Sequence, residues 1–132
     1  MAAIRLLRKE DNDQYIKLLQ SYNINFEKIF EEVFETKIIE IWVIDEDISN
    51  NIIGSATILF EPNFTTNGYK VGYIKDIIID KDKVSLGYDK LLVEHLLERA
   101  KYKECCKVLL LTENNVNFLN PLEKVNALSK NI

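Results

Sequence analysis

The chain has 132 residues, of which 47% are hydrophobic and 29% are charged, a composition typical of one ordinary globular domain. Its formal net charge of −4 argues against nonspecific binding to nucleic acids, which needs a basic face. No apolar stretch approaches the roughly 20 residues that span a bilayer, and the N-terminal residues become charged too early for a signal peptide.

The cysteine and histidine content indicates which disulfides and metal sites the chain could form. Cys105 and Cys106 are adjacent and poorly placed to pair with each other within a strand. We therefore expect free thiols in a reducing compartment, and hence a cytoplasmic protein. With one histidine and no spaced set of cysteines and histidines, we expect no metal site. We expect one domain over residues 1–132, with about the last ten residues loosely ordered.

The N-terminal part of the chain predicts a short strand and two helices. Ile4–Leu7 predicts the strand, and Asp11 offers an N-cap for the first helix. The apolar face of that helix comprises Tyr15, Leu18, Leu19 and Tyr22. Asn25 can cap the second helix. Its apolar face comprises Phe26, Ile29, Phe30, Val33 and Phe34.

The middle of the chain is rich in β-branched and aromatic residues, which favour strands. Three strands are predicted here, over Ile38–Ile44, Ile52–Glu61 and Lys70–Ile79. Short polar loops join them, so the sequence predicts an antiparallel meander.

The C-terminal part predicts a helix, a strand and a second, short helix. The long helix runs from about Gly87 to Lys103, and Cys106–Leu111 is the next strand, so strand–helix–strand indicates a right-handed parallel crossover. The buried face of the long helix is predicted to comprise Tyr88, Leu91, Leu92, Leu96 and Ala100. A short last helix begins at Asn114 or Asn115, runs through Phe118 and is ended by Pro121.

The junction between the third long strand and the long helix has a pattern that can bind a phosphate. The first helical N–H groups have no intrahelical partner, and the helix dipole favours an anion there. Such loops usually carry several glycines, whereas this one carries only Gly87. Gly87 can therefore admit a phosphate or simply start the helix.

Five segments together resemble the GNAT superfamily of acetyl-CoA-dependent N-acetyltransferases, in particular the branch that acetylates glucosamine 6-phosphate. VGYIKDIIIDKD is similar to the central strand of that family, and KLLVEHL to the helix that follows it. ECCKVLLL and ENNVNF are similar to the next strand and turn, and IRLLRKEDNDQYIKLL to the first strand and helix. The resemblance implies an α/β (α+β) fold of three layers. Its mixed central sheet would contain the antiparallel meander and a strand–helix–strand cofactor unit.

The resemblance also implies a set of site residues. The backbone of Ile77, Ile78 and Ile79 would contact the pantetheine and acetyl group of acetyl-CoA. The diphosphate would face the segment made of Val84, Ser85, Leu86, Gly87, Tyr88, Asp89 and Lys90, and Asn115 would add a further cofactor contact. Asp76 would take part in catalysis, and Lys75 and Asp76 would contact the acceptor amine. In the family a backbone N–H polarises the thioester carbonyl, a base removes the amine proton, and a tyrosine often protonates the thiolate.

Several positions depart from the family pattern. Val84 stands where the family has Arg or Gln, Ser85 and Asp89 replace glycines, and Leu119 replaces the tyrosine acid. Lys75 replaces a glutamate and can also be an ordinary surface lysine. Solvated or structural roles are open as well for Asp76, Lys90, Tyr73 and His95.

Three functions are compatible with this sequence. The first is an acetyl-CoA-dependent N-acetyltransferase that acts on a primary amine, with glucosamine 6-phosphate as the candidate acceptor. The second is a catalytically degenerate protein of the same fold that binds CoA or a protein partner. The third is a noncatalytic paralogue that forms half of a mixed dimer through an exposed sheet edge. A homodimer is compatible with the first two.

Overall fold

A computed structural model describes residues 2–26, 30–46, 51–112 and 116–119 of the chain. One sheet contains six strands, β1 (Ala3–Leu6), β2 (Ile39–Asp45), β3 (Ile52–Pro62), β4 (Lys70–Ile79), β5 (Cys105–Leu111) and β6 (Val116–Leu119). The α-helices are α1 (Asn12–Gln20), α2 (Phe30–Glu35) and α3 (Tyr88–Tyr102). Short 3-10 segments cover Lys9–Asp11, Phe64–Thr66 and Lys81–Leu86.

The strands lie in the sheet in their order along the chain, from β1 to β6. β1 to β4 pair antiparallel, which confirms the predicted meander. β4 and β5 pair in parallel across α3, and β5 and β6 pair antiparallel. The sheet is therefore mixed, and the predicted strand–helix–strand crossover is confirmed.

Helices cover both faces of the sheet, which gives the three predicted layers. On one face, α3 packs against a cluster that includes Ile44 and Ile58. On the other face, α1 packs against Val43 and its neighbours. The successive β2 residues Val43 and Ile44 thus pack into the cores on opposite faces of the sheet, as strand alternation requires. Each fully buried aliphatic side chain of this kind stabilises the fold by about 1.5–3 kcal/mol.

The predicted last helix is wrong. Residues 116–119 form strand β6, with Val116 opposite Leu111 and Phe118 opposite Leu109. Valine and phenylalanine favour strands, and the edge of β5 offers unpaired backbone groups that a strand satisfies and a helix does not. The capping residues Asn114 and Asn115, Pro121 and the C-terminal tail lie outside the described residues.

Two details of the helices also differ from the sequence prediction. Leu91 is 46% exposed, and Val93 and Leu97 are buried with Leu92, Leu96 and Ala100, so α3 is rotated relative to the predicted face. The apolar residues of α3 span more than one face, and the pattern alone does not decide which stripe meets the sheet.

The second detail is the start of α1. Asp11 precedes α1 but makes no side-chain capping bond to it. Its carboxylate instead accepts hydrogen bonds from the guanidinium of Arg5 at 2.8 and 2.9 Å and from the backbone N–H of Arg8 at 2.7 Å. A buried carboxylate gains more from a fixed guanidinium than from one helix N–H, so the ion pair replaces the predicted cap.

Candidate functional site

A β-bulge interrupts β4 at its most polar point. Lys75 is opposite Thr57 and Ile78 is opposite Ser55, so the two residues Asp76 and Ile77 face a single residue of β3. Asp76 has a positive φ of 52°, a conformation that aspartate tolerates better than most residues. Such a bulge bends the strand and increases its twist, so β4 changes direction at Asp76.

β4 and β5 separate beyond this bulge. Their parallel pairing runs from Lys70 and Cys105 to Ile74 and Leu110, whereas β4 continues to Ile79. β5 pairs there with β6 on its other side. The last five residues of β4 therefore have one edge that pairs with no other strand of the described residues. We call residues 75–79 on this side the open edge.

The direction of the peptide groups shows which atoms line the open edge. The Asp80 N–H donates to the Ile53 carbonyl of β3 at 2.7 Å, so the Ile79 carbonyl, in the same trans peptide, points away from β3. By strand alternation the N–H and C=O of Ile77 also point to the open edge, whereas those of Ile78 point to β3. Of the three residues predicted to contact pantetheine, Ile77 and Ile79 thus present backbone groups to the open edge.

Polar side chains lie around the bulge. The Asp76 side chain is exposed and Lys75 is half-buried. Beneath the bulge, the buried hydroxyls of Tyr15 and Ser55 are hydrogen-bonded at 2.9 Å. Burial raises the pKa of Tyr15 to about 12, the Ser55 hydrogen bond opposes that rise, and the charge of Asp76 adds to it. Lys75 and Asp76, the two residues predicted to contact the acceptor amine, are therefore neighbours at the start of the open edge. The neutral Tyr15 lies beneath them.

The predicted diphosphate segment forms the turn between β4 and α3. Val84, Ser85 and Leu86 are exposed in the 3-10 segment, Asp89 and Lys90 are exposed in the first turn of α3, and Tyr88 is half-buried. Gly87 has a φ of +81° and a Cβ there would meet no atom within 4 Å, so the glycine is required by backbone conformation and not by packing. No side chain caps α3 at Gly87, which leaves its first N–H groups accessible.

The charges at this turn are mixed. Helix N–H groups and Lys90 attract an anion, whereas Asp89 repels one. Lys83, just before this segment, is paired with Glu46 at 2.7 Å, and that hydrogen bond and charge raise the pKa of Lys83. The turn can hold a phosphate through its backbone, but its side chains contribute little net positive charge. Asn115, the remaining predicted cofactor residue, lies outside the described residues.

Other candidate groups are placed away from the open edge. His95 packs against Trp42 with ring centroids 4.2 Å apart, and Arg99 beside it makes two hydrogen bonds to Glu40 at 2.9 and 2.6 Å. Cys105 is a buried free thiol whose pKa is raised to about 11 by burial, and Cys106 is a free, exposed thiol. The Cys105 thiol therefore lacks the low pKa of a nucleophilic cysteine. Among the residues that the structure describes, no group of three or more potential ligands could hold a metal ion.

Sequence reasoning missed one polar group at the open edge. Tyr22, which was assigned only to the apolar face of α1, donates its hydroxyl to the Ile79 carbonyl. Its position seven residues after Tyr15 signals a helix face and carries no information about a contact 57 residues away. In the described part of the chain, no helix is long and apolar enough to cross a membrane.

Comparisons with known proteins agree on one family. A profile of the acetyltransferase (GNAT) family matches residues 4–120. A glucosamine 6-phosphate N-acetyltransferase of Trypanosoma brucei brucei is 37% identical over 62 residues, which are 47% of this chain and 42% of the relative. The Arabidopsis thaliana protein of the same name is 33% identical over 70 residues, 53% of this chain and 47% of the relative. The matches thus span about half the length of these curated relatives.

Solved structures resemble most of the chain. A Trypanosoma brucei acetyltransferase has a TM-score of 0.76 and 26% identity, with 86% of this chain and 84% of that chain covered. Glucosamine-6-phosphate N-acetyltransferase from Arabidopsis thaliana has a TM-score of 0.76 and 28% identity, with the same coverage of both chains.

Proposed function

Because the chain belongs to the acetyltransferase (GNAT) family, we propose that it is an acetyl-CoA-dependent N-acetyltransferase acting on a primary amine. The observation that carries the proposal is the open edge of β4 beyond the bulge at Asp76. An edge with free N–H and C=O groups accepts an extended chain that carries amides, as in strand addition. The pantetheine arm of acetyl-CoA is such a chain, since it contains two amide groups.

The chain offers better contacts to the pantetheine arm of acetyl-CoA than to its diphosphate. At Ile77 the backbone offers a donor and an acceptor to amides, and Ile79 offers its N–H and a carbonyl that accepts the Tyr22 hydroxyl. At the turn, Gly87 and the uncapped start of α3 offer N–H groups to a diphosphate, while Asp89 opposes it and Val84 offers no charge. We therefore expect a donor affinity that depends more on the strand than on the turn.

The proposed chemistry is direct attack of the amine on the thioester. The bond between acetyl carbon and sulfur breaks, the carbon–nitrogen bond forms, and the proton lost by the amine passes to solvent water, so the products are the amide and the CoA thiolate. The N–H of Ile77 at the open edge would stabilise the oxyanion, and the exposed carboxylate of Asp76 would orient the amine. Leu119 cannot donate a proton, so we expect the thiolate to leave without help from this position; a thiol with a pKa of about 8.5 permits that at mildly alkaline pH.

We propose glucosamine 6-phosphate as the acceptor to test first. Both curated relatives described above are named for acetylation of this compound. Lys75 and Asp76 also support it, because adjacent cationic and anionic side chains suit a substrate with a phosphate and an ammonium group.

A second candidate is a member of the family that binds CoA without acetyl transfer. It is favoured by the absence of a tyrosine at Leu119 and by the charge of Asp89 at the turn. Calorimetry with acetyl-CoA, followed by a thiol-release assay with glucosamine 6-phosphate on the same sample, separates the two. Binding with turnover supports the enzyme, binding without turnover on a panel of amines supports the second candidate, and absence of binding contradicts both.

Assembly and location are further parts of the proposal. A homodimer or a mixed dimer is supported by β6, the last strand of the described sheet, whose outer edge offers backbone groups to a partner. Sedimentation that stays monomeric at all concentrations would contradict self-association. Two free cysteines support a reducing, cytoplasmic location.

A further inference from the structure

The Tyr22 side chain makes two noncovalent contacts with the region where β4 ends. Its hydroxyl donates a hydrogen bond of 2.5 Å to the Ile79 carbonyl, and its ring faces the Lys81 ammonium at 4.9 Å. The backbone around it is anchored, since the N–H groups of Tyr22, Asn23 and Ile24 all bond to carbonyls at the end of α1. The side chain can therefore leave the strand without any rearrangement of the backbone.

The carbonyl that Tyr22 covers belongs to the open edge. It points away from β3, because the N–H of the same peptide donates to Ile53. No strand of the described residues reaches this side of β4 beyond Ile74. A backbone carbonyl that is removed from bulk water needs a donor, and the phenol supplies the bond that a neighbouring strand would otherwise make.

We propose that Tyr22 sets the affinity for the acyl donor by competing with it for the Ile79 carbonyl. The proposal rests on the proposed function, in which amides of the donor pair with the open edge. A donor N–H that reaches Ile79 needs the same acceptor in the same direction as the phenol. Binding at this position then exchanges one hydrogen bond for another, and it contributes less affinity than a bond to a free carbonyl.

The exposure of Tyr22 makes this exchange reversible. Tyr22 is 37% exposed as a residue, so a displaced hydroxyl can turn to water and leaves no buried donor unpaired. Tyr15, by contrast, is only 3% exposed and its hydroxyl is committed to Ser55. Of these two tyrosines near β4, Tyr22 is the one whose hydroxyl can be released.

The test uses Tyr22→Phe, which keeps the ring over Lys81 and removes only the hydroxyl. We expect the Kd for acetyl-CoA, measured by calorimetry on the full chain, to fall about fivefold, the value of one ordinary hydrogen bond. The same ratio is expected with S-acetylpantetheine, which lacks the nucleotide. Tyr102→Phe is the matched control, because Tyr102 is 74% exposed at the end of α3, and its Kd should equal that of the wild type.

A second variant acts on the same side chain from outside the strand. Lys81→Met removes the ammonium from the Tyr22 ring and loosens the phenol. With uncharged S-acetylpantetheine, so that the lost charge does not matter directly, we expect the Kd to fall about twofold, as expected for a weak exposed cation–π contact. A rise in Kd for this variant would contradict the competition.

The outcomes separate the inference from the proposed function. If the wild type binds acetyl-CoA and Tyr22→Phe binds no more tightly, the role of Tyr22 is overturned and the acetyltransferase proposal stands. If neither protein binds acetyl-CoA, both are overturned. Where turnover is measurable, the KM for acetyl-CoA should fall in Tyr22→Phe while the KM for the amine stays constant, which a general loss of structure would not produce.

Discussion

Replacing Asp89 by asparagine is expected to strengthen acetyl-CoA binding and weaken the fold at the same time. Asp89 is the second residue of α3 and is exposed beside the uncapped N-terminus. There a carboxylate stabilises the helix by about 0.3–1 kcal/mol through the dipole, and this contribution is lost on substitution. The same carboxylate repels a diphosphate bound at the turn, so its removal favours the ligand.

The size of the gain follows from Coulomb's law. A carboxylate at about 6 Å from each of two phosphate charges contributes roughly 0.7 kcal/mol of repulsion per charge in water, and salt screening reduces the sum. We therefore expect the Kd to fall about three- to tenfold at low salt and less at high salt. The opposite signs for stability and affinity distinguish this electrostatic effect from improved folding.

The assay is calorimetry with acetyl-CoA at two salt concentrations, combined with thermal unfolding. Glu94→Gln is the matched control, because Glu94 is exposed on the same helix beyond its first turn. S-acetylpantetheine, which lacks the diphosphate, should bind Asp89→Asn and the wild type equally. An unchanged Kd for acetyl-CoA in Asp89→Asn, or an equal gain with S-acetylpantetheine, would refute the placement of the diphosphate at this turn.

Three further predictions concern the bulge, the tyrosine beneath it and the turn. Asp76→Asn should lower kcat with little change in the melting temperature, whereas Asp76→Val should also lose about 1–2 kcal/mol of stability in thermal unfolding, because valine is strained at a φ of +52°. Burial raises the pKa of Tyr15 from 10.0 to about 12, so the unfolded state releases this proton first and stability falls as the pH rises between these values. Tyr15→Phe should make that fall shallower, and an equal slope would contradict the cause. Gly87→Ala and Gly68→Ala should each cost about 1 kcal/mol, since both have positive φ and open space for a Cβ, but only Gly87→Ala should alter acetyl-CoA affinity.

The sequence was sufficient to predict the first five strands because their signals are local. Lys70–Ile79 was predicted to the residue, since a β-branched run lies between a loop that contains Asn67 and Gly68 and a charged loop after Ile79. The last helix was wrong because the asparagines before Val116 resemble a cap, whereas pairing with β5 decides the outcome. An apparent helix cap yields here to a partner strand, which supplies hydrogen-bonding partners for a segment that already has strand-forming residues.

The site was less predictable than the fold. The resemblance named Asp76 and Ile77 as site residues. The positive φ at Asp76, and the bulge in which Asp76 and Ile77 face a single residue of β3, are properties of the pairing with β3. Likewise, the side chain of Tyr22 reaches Ile79 only after α1 has packed on the sheet. Contacts of this kind depend on where whole elements lie, and no spacing in the sequence records them.

The separation of β4 from β5 also bears on how the protein avoids aggregation. Unpaired strand edges at the rim of a sheet recruit other chains, whereas the open edge lies inside the sheet, between β3 and the diverging β5. A flat sheet from another molecule cannot enter such a wedge, although a single flexible arm can. The separation of β4 from β5 thus leaves backbone hydrogen-bonding groups available to a small molecule without offering a template for fibril growth.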